Sequence, residues 1–331
     1  MADVAALAGV SGQTVSRVVN GSPRVDPDTR ARVEAAMQRL GYRPHPAARA
    51  LRTGRSRTIG LVVSSLATVG NSRTLQSVAD AAASRGYALM VVTLGSAGAI
   101  GDAFDQLRDQ GVDGAIVLNE ATRLARASAP PPGLRLVVVD SLPDERFGIV
   151  QTDHADGARR AVAHLLGLGH RTVHHLAGPK GSFAASERER GWREALAASG
   201  SAGTDIEQAA PAVRGDWSAA SGHAVGARLA ADSSVTAVFA GNDQMALGLL
   251  RALGEAGRRV PEDVSVVGFD DVVDAADYRP PLTTVRQDFD VLGERAVAAL
   301  VSGIETAAAP GVDIVPTALV VRASTAPPSR R

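Results

Sequence analysis

The 331 residues are enough for two or three domains with full cores, and the absence of Cys excludes a disulfide framework and thiolate chemistry. No N-terminal apolar stretch resembles a signal peptide and no run approaches membrane-spanning length, so a soluble cytoplasmic protein without a membrane partner is expected. The formal net charge of +0 is unevenly distributed, for residues 1–58 hold ten Arg against four acidic residues, a net of +6, and the remainder carries −6; a basic head on an acidic body predicts that the head meets a polyanion.

Val4 to Ala8 reads as a short apolar helix, Gly9-Val10-Ser11 as a turn, and Gly12 to Asn20 as a second helix capped by Ser11. Val15, Val18 and Val19 are spaced to pack on neighbouring helices. Gln13, Thr14, Ser16 and Arg17 are left facing outward, and these side chains suit base edges and phosphates. A small helical bundle with a polar face would show the same pattern. A third helix is capped by Asp26, opens with Pro27 and Asp28, keeps helical spacing at Val33, Ala36, Met37 and Leu40, and ends at Gly41. The prolines at 44 and 46 then break the pattern. Ala47 to Thr53 is under two turns, so it should become helical only when something docks it. Its single large apolar side chain, Leu51, suits a minor-groove wedge, or else this is a linker with one stray Leu.

From Thr58 the texture changes. Apolar runs at 59–63, 88–92, 114–118, 134–139, 172–176, 235–240 and 264–269 alternate with helical stretches, for example 72–86, 155–168, 184–198, 217–231 and 243–256. This alternation predicts an α/β body of two doubly wound parallel sheets with helices on both faces, whose ligand site lies beyond the carboxyl ends of the strands. A short Pro-rich tail follows Ala323, with no leucine heptad after it.

Taken together, DVAALAGVSGQTVSRVVNG at the head, YRPHPAARALRTGRS after it, and LAGPKGS, RGDWSAASG, GNDQMALGLLRAL, VSVVGFDD and PPLTTVRQDF in the body resemble the LacI/GalR family of bacterial transcription regulators. The GDWSA and NDQMALG stretches point more narrowly to its lactose-repressor branch. The resemblance implies an all-α helix-turn-helix head (1–44), a hinge helix and linker (45–57) and a periplasmic-binding-protein-like effector and dimerisation domain (58–323). Its N-subdomain would take about 58–152 and 288–312 and its C-subdomain about 153–287 and 313–323, leaving 324–331 as a disordered tail. It further implies a homodimer without a tetramerisation helix, a pseudo-palindromic double-stranded operator, and a small sugar effector. Family members have several more residues before the first helix, including a cap, so here that helix is expected to fray unless the chain begins upstream.

The resemblance places Gly12, Gln13 and Arg17 at the base-reading positions, Thr14, Ser16 and Asn20 at phosphate or helix-end positions, and Leu51 at the minor-groove wedge. Gln and Arg have the bidentate chemistry for adenine and guanine, whereas Gly12 reads no base. It also maps Asp140, Arg188, Trp217, Asn242 and Asp270 onto effector-contacting positions, with Ser64, Ser182 and Gln287 as further contributors. The chemistry agrees, since a sugar needs polar groups for its hydroxyls and an aromatic face for its C–H surface. Taken singly, the carboxylates would pass for helix caps or surface ion pairs, and Trp217 for core; Trp192 reads as structural. Ala67–Asn71, Thr152 and Ala184 depart from the branch's pattern, so the pocket beyond the first sugar ring is altered. An enzyme finds little support: Gly178-Pro179-Lys180-Gly181 lacks the phosphate-loop pattern, and His174 and His175 point to opposite faces of a strand, against shared metal ligation. No catalytic residue, metal or cofactor is expected. The expected function is a repressor relieved by a sugar, with a galactoside as the first choice. The alternative is a regulator of a different carbohydrate operon in which effector strengthens DNA binding.

Overall fold

The computed structural model describes residues 1–19, 21–42, 54–95, 99–199 and 212–329. Asn20, Leu51 and the whole of the expected hinge helix, 47–53, lie outside the described residues. The chain divides into two compact units, 1–57 and 58–331.

The first unit holds α1 (Ala2–Ala8), α2 (Gly12–Val19) and α3 (Pro27–Arg39). Gly9 takes φ 64° and closes α1, a left-handed conformation that suits glycine. At the other end α1 has no side-chain cap. Ser11 Oγ accepts the Thr14 N–H at 3.1 Å and so starts α2; Asp26 accepts the Thr29 N–H at 3.1 Å and starts α3. Val4, Ala5, Ala8, Val15, Val18, Val33 and Ala36 form the core, with Val19 and Met37 partly buried against it. Leu40, expected on the core face, is instead 47% exposed, because the helix ends at Arg39 and Leu40 is already its C-cap.

In the second unit the chain runs β1 (Thr58–Val63), α4 (Val69–Ser84), β2 (Ala88–Thr93), α5 (Ile100–Asp109), β3 (Gly114–Leu118), α6 (Glu120–Ala127), β4 (Arg135–Val139), β5 (Gly148–Thr152), α7 (His154–Gly167), β6 (His174–Ala177), α8 (Phe183–Ala198) and β7 (Val213–Arg214). It continues through α9 (Ala219–Ala231), β8 (Ala237–Ala240), α10 (Asp243–Glu255), β9 (Ser265–Asp270), β10 (Thr283–Arg286), α11 (Phe289–Thr306), β11 (Val312–Val315) and β12 (Ala318–Val320). Two six-stranded sheets result, ordered β11-β5-β4-β3-β1-β2 and β12-β10-β9-β8-β6-β7. All pairings are parallel except β10 with β12.

Strand periodicity assigns the faces. In β1, Ile59, Leu61 and Val63 join Val78, Ala82 and Leu292 on one side, while Val62 joins Phe104 and Leu107 on the other. In the second sheet Val238 and Ala240 meet α9 and α10, and Ala237 and Phe239 meet the side that holds Trp192. Trp192 is structural, as expected: it is buried and its Nε1–H donates to the Val173 carbonyl at 2.7 Å.

The chain crosses between the two lobes three times: after Thr152, around Gln287–Asp288, and between Val315 and Ala318. Two expected boundaries move as a result. Residues 313–315 belong to the first sheet, paired with β5, and not to the second lobe. The segment after Ala323 is not a loose tail over its described part. Ser324 is fully buried, accepts the Thr283 N–H at 2.8 Å and donates to the Val266 carbonyl at 2.6 Å, and the Ala326 N–H reaches Ser265 Oγ at 3.0 Å. Through the two serine hydroxyls these bonds tie the segment to the starts of β9 and β10, contacts that composition alone does not reveal.

Candidate functional site: a helix surface and an interlobe cleft

On α2, Gly12, Gln13 and Arg17 are exposed, Thr14 and Ser16 half-buried. The Thr14 hydroxyl lies 3.0 Å from that of Ser11, so it also serves the start of the helix. A Cβ at Gly12 would meet no atom within 4 Å, and Gly12 does not take a positive φ; neither space nor backbone demands glycine there. The helix presents an exposed amide and a guanidinium on one face, a suitable surface for reading base edges.

The second site lies where the strands of both sheets end. Asn119, Asp140, Trp217 and Asp270 have φ of 48°, 58°, 75° and 120°. Four non-glycine residues in the left-handed region, all lining one pocket, store strain where side chains must be aimed. Helix starts supply further groups: Ser182 accepts the Ala185 N–H at 3.4 Å, and Asn242 accepts the Met245 N–H at 2.9 Å while its Nδ2 donates to the Trp217 carbonyl at 3.1 Å. Both expected effector residues therefore also cap the helices that bring them there.

Arg188, on α8, is buried at the centre. Its Nε–H donates to His154 Nδ1 at 3.3 Å, Nη1 donates to the Gly241 carbonyl, and Nη2 stands 3.5 Å from Asp270 Oδ1. Its guanidinium lies 3.8 Å from the Phe269 ring centroid and 5.3 Å from that of Trp217. A guanidinium cannot accept, so His154 Nδ1 is the acceptor in this contact, and Nε2, which makes no hydrogen bond, stands 3.0 Å from Asp140 Oδ2. Asp140 Oδ1 accepts the Thr152 N–H at 3.0 Å. Gln287 Nε2 donates to Asp270 Oδ1 at 2.6 Å. Burial raises the Asp270 carboxyl above its ordinary range against the pull of Arg188 and the Gln287 hydrogen bond, and burial lowers Arg188 against its surrounding carboxylates. Trp217 lies flat against Gly178, where any Cβ would run into the indole; Arg214 holds that loop by donating to the Gly178 carbonyl at 3.1 Å.

The pocket thus brings together Asp140, Ser182, Arg188, Trp217, Asn242, Asp270 and Gln287. Ser64, half-buried after β1, is not in its lining. The residues overlooked in the sequence include Asn119, Glu120, Phe183 and Phe289, which line the pocket beside Asn71 of the loop expected to be altered, and His154, which accepts from Arg188 and stands beside Asp140. Asn119 carries the same signal as Asp140, a polar residue directly after an apolar run. His175, by contrast, is core: it stacks on Phe239 at 4.8 Å, and burial lowers its pKa to about 4. Among the described residues no group of His, Cys, Asp and Glu has the arrangement of a metal site.

The signature of bacterial regulatory proteins of the lacI family matches residues 1–45, and that of periplasmic binding protein-like domains matches residues 162–325. The lactose operon repressor of Escherichia coli (strain K12) is 38% identical over 335 residues, covering 99% of this chain and 91% of that protein. The chain belongs to the lacI family. Its relatives include CelR, an HTH-type transcriptional regulator of Thermobifida fusca, at 38% identity over 91% of this chain and 90% of that one. Among solved structures, the lac repressor dimer bound to operator and the anti-inducer ONPF is similar with a TM-score of 0.86 and 37% identity over 98% of both chains. A CelR–cellobiose complex is similar with a TM-score of 0.73 and 36% identity over 97% of this chain and 98% of that one. These lacI-family relatives are transcriptional regulators and not enzymes. Among the described residues no helix is long and apolar enough to cross a membrane.

Proposed function

We propose that this protein is a sequence-specific transcriptional repressor, a homodimer whose affinity for a pseudo-palindromic operator is relieved by a galactoside bound in the cleft of the body. The observation that carries the reading is similarity along almost the whole chain to a repressor solved as a dimer on operator DNA, joined to a cleft that offers an indole face, a buried guanidinium and several carboxylates. Gln13 and Arg17 read bases, Thr14, Ser16 and Asn20 set the head on phosphates, and Leu51 wedges the minor groove. Ser182, Arg188, Trp217, Asn242, Asp270, Asp140 and Gln287 hold the sugar. Ser64, outside the pocket lining, keeps at most an outer role.

The protein acts in the cytoplasm and has no catalytic role. Sugar favours one arrangement of the two lobes, and hinge residues 45–57 transmit that preference; by linkage, operator and sugar weaken each other's binding by the same factor. The test is operator binding by the purified protein to its own upstream DNA at one fixed salt concentration, with and without galactosides. Release by a galactoside supports the assignment. Tighter binding, or a response confined to another sugar, overturns it.

A further inference from the structure

Several side chains of the cleft turn part of their donor capacity onto the protein itself. Asn119 donates to Asn71, Asn242 to the Trp217 carbonyl, Gln287 to Asp270, and Arg188 to His154 and Gly241. Among the acceptors, unused capacity lies above all with Glu120. It is the first residue of α6, half-buried, and lines the pocket. One of its oxygens, Oε1, accepts the indole N–H of Trp217 at 3.3 Å from the opposite lobe. No cation pairs with it within ion-pair distance among the described residues, although its charge is felt by Arg188. Asp140 and Asp270 face the same pocket, so three carboxylates stand there against one guanidinium.

We propose that Glu120 is a specificity-determining residue of this cleft. Its carboxylate receives hydrogen-bond donors of the effector, a hydroxyl pair or an ammonium, and it bars sugars that carry a carboxylate or phosphate. A carboxylate suits adjacent hydroxyls because it offers two oxygens and needs no donor in return. An anionic substituent brought to the same place meets like charge in a partly desolvated site, which at about 5 Å and intermediate dielectric weakens binding roughly tenfold. The contact with Trp217 gives the residue an optical reporter, since the indole it touches also supplies the apolar face for the sugar ring. This inference rests on the sugar reading of the cleft.

Full-length protein is titrated, with tryptophan emission and calorimetry, against matched sets: galactose, galactosamine and galacturonate, then glucose, glucosamine and glucuronate. The neutral sugar or its amino counterpart should bind at least about tenfold more tightly than the uronate. Glu120→Gln keeps an acceptor for Trp217 but removes the charge, and should narrow that ratio severalfold; an amino sugar losing more than the neutral one identifies the ammonium as the source. A uronate that binds as well as its neutral partner overturns the proposal, as does a ratio unchanged in Glu120→Gln. The wild-type ratio decides even if the variant folds poorly. Binding confined to the glucose set would reject the galactoside assignment while leaving the role of Glu120 standing; no binding by any neutral or amino sugar rejects both.

Discussion

Arg188 pairs directly with Asp270, donates to His154, which stands beside Asp140, and lies over the rings of Phe269 and Trp217. Lysine could not replace it, having neither the planar stacking surface nor the fork of donors. Arg188→Ala is expected to abolish release of operator by sugar while repression persists, with sugar affinity falling by about 2–5 kcal/mol because Asp270 is left buried without its cation. Calorimetric titration together with operator binding checks this, and an Arg188→Ala protein that still responds normally would remove the clamp. Asp243, beneath the cleft, is fully buried and accepts from Thr284 Oγ1 at 2.6 Å and the Val272 N–H at 2.9 Å. Burial, helped by the charge of Asp270, pushes its pKa up to about 8. An unfolded Asp titrates near 3.9, so the folded state holds this proton longer. Its contribution is present below about pH 4 and is lost as pH rises to about 8. His175, lowered to about 4, acts in the opposite sense between pH 4 and 6.5, so pH 6.5 to 8 is the window in which Asp243 is read; Asp270, also raised by burial, acts in the same sense, and the comparison with a variant separates the two. Body stability should fall across that window, and Asp243→Asn should flatten the slope. Both tryptophans lie in the body, so denaturant titrations followed by their emission report it; an equal slope in wild type and variant would refute the assignment.

The helix pair α9 and α10 depends on small residues at its contact. Gly222 approaches the backbone of Met245, and a Cβ at Gly248 would run into the Ala219 carbonyl and the His223 amide. Gly248→Ala should therefore destabilise the body by about 1–3 kcal/mol by overpacking, seen as a lower denaturant midpoint. In the hinge, Leu51→Ala should weaken specific operator binding while largely sparing salt-dependent non-specific binding; equal loss of both would discard the wedge. Elements of this kind differ in how plainly they can be read. Buried strands such as β1 and β3 announce themselves as continuous apolar runs, and Asp26-Pro27 marks a helix start by chemistry alone. β7 has two residues and β12 three, too short for any periodicity to register. β10 reads Thr-Thr-Val-Arg, and it is a strand because its neighbours complete its ladder, not because its residues demand it. The strand-end rule revealed Asp140 and Asp270, but Glu120 passes for an ordinary first-turn helix acid until the fold sets Trp217 against it. His154 likewise looks like any helical histidine until Arg188 and Asp140 arrive from either side.

At the scale of the whole molecule, the partition of charge separates duties. The head's net of +6 supplies the sequence-independent part of DNA affinity, and a dimer doubles it. Operator affinity is accordingly expected to fall about a thousandfold or more between roughly 50 and 200 mM salt if the dimer neutralises about six or more phosphates. A shallow slope in titrations across that range would mean that the basic residues do not face the backbone. The three crossings between the lobes have a consequence during synthesis. The first lobe cannot close its sheet until α11 and β11 have been made, long after β5, and the second lobe waits for β12 and Ser324. Both halves of the body thus wait for the last part of the chain, whereas the head, with all its contacts local, can form as soon as it emerges. A chain that stops before α11 would thus carry a finished head and no completed cleft, a reader with no means of hearing the sugar.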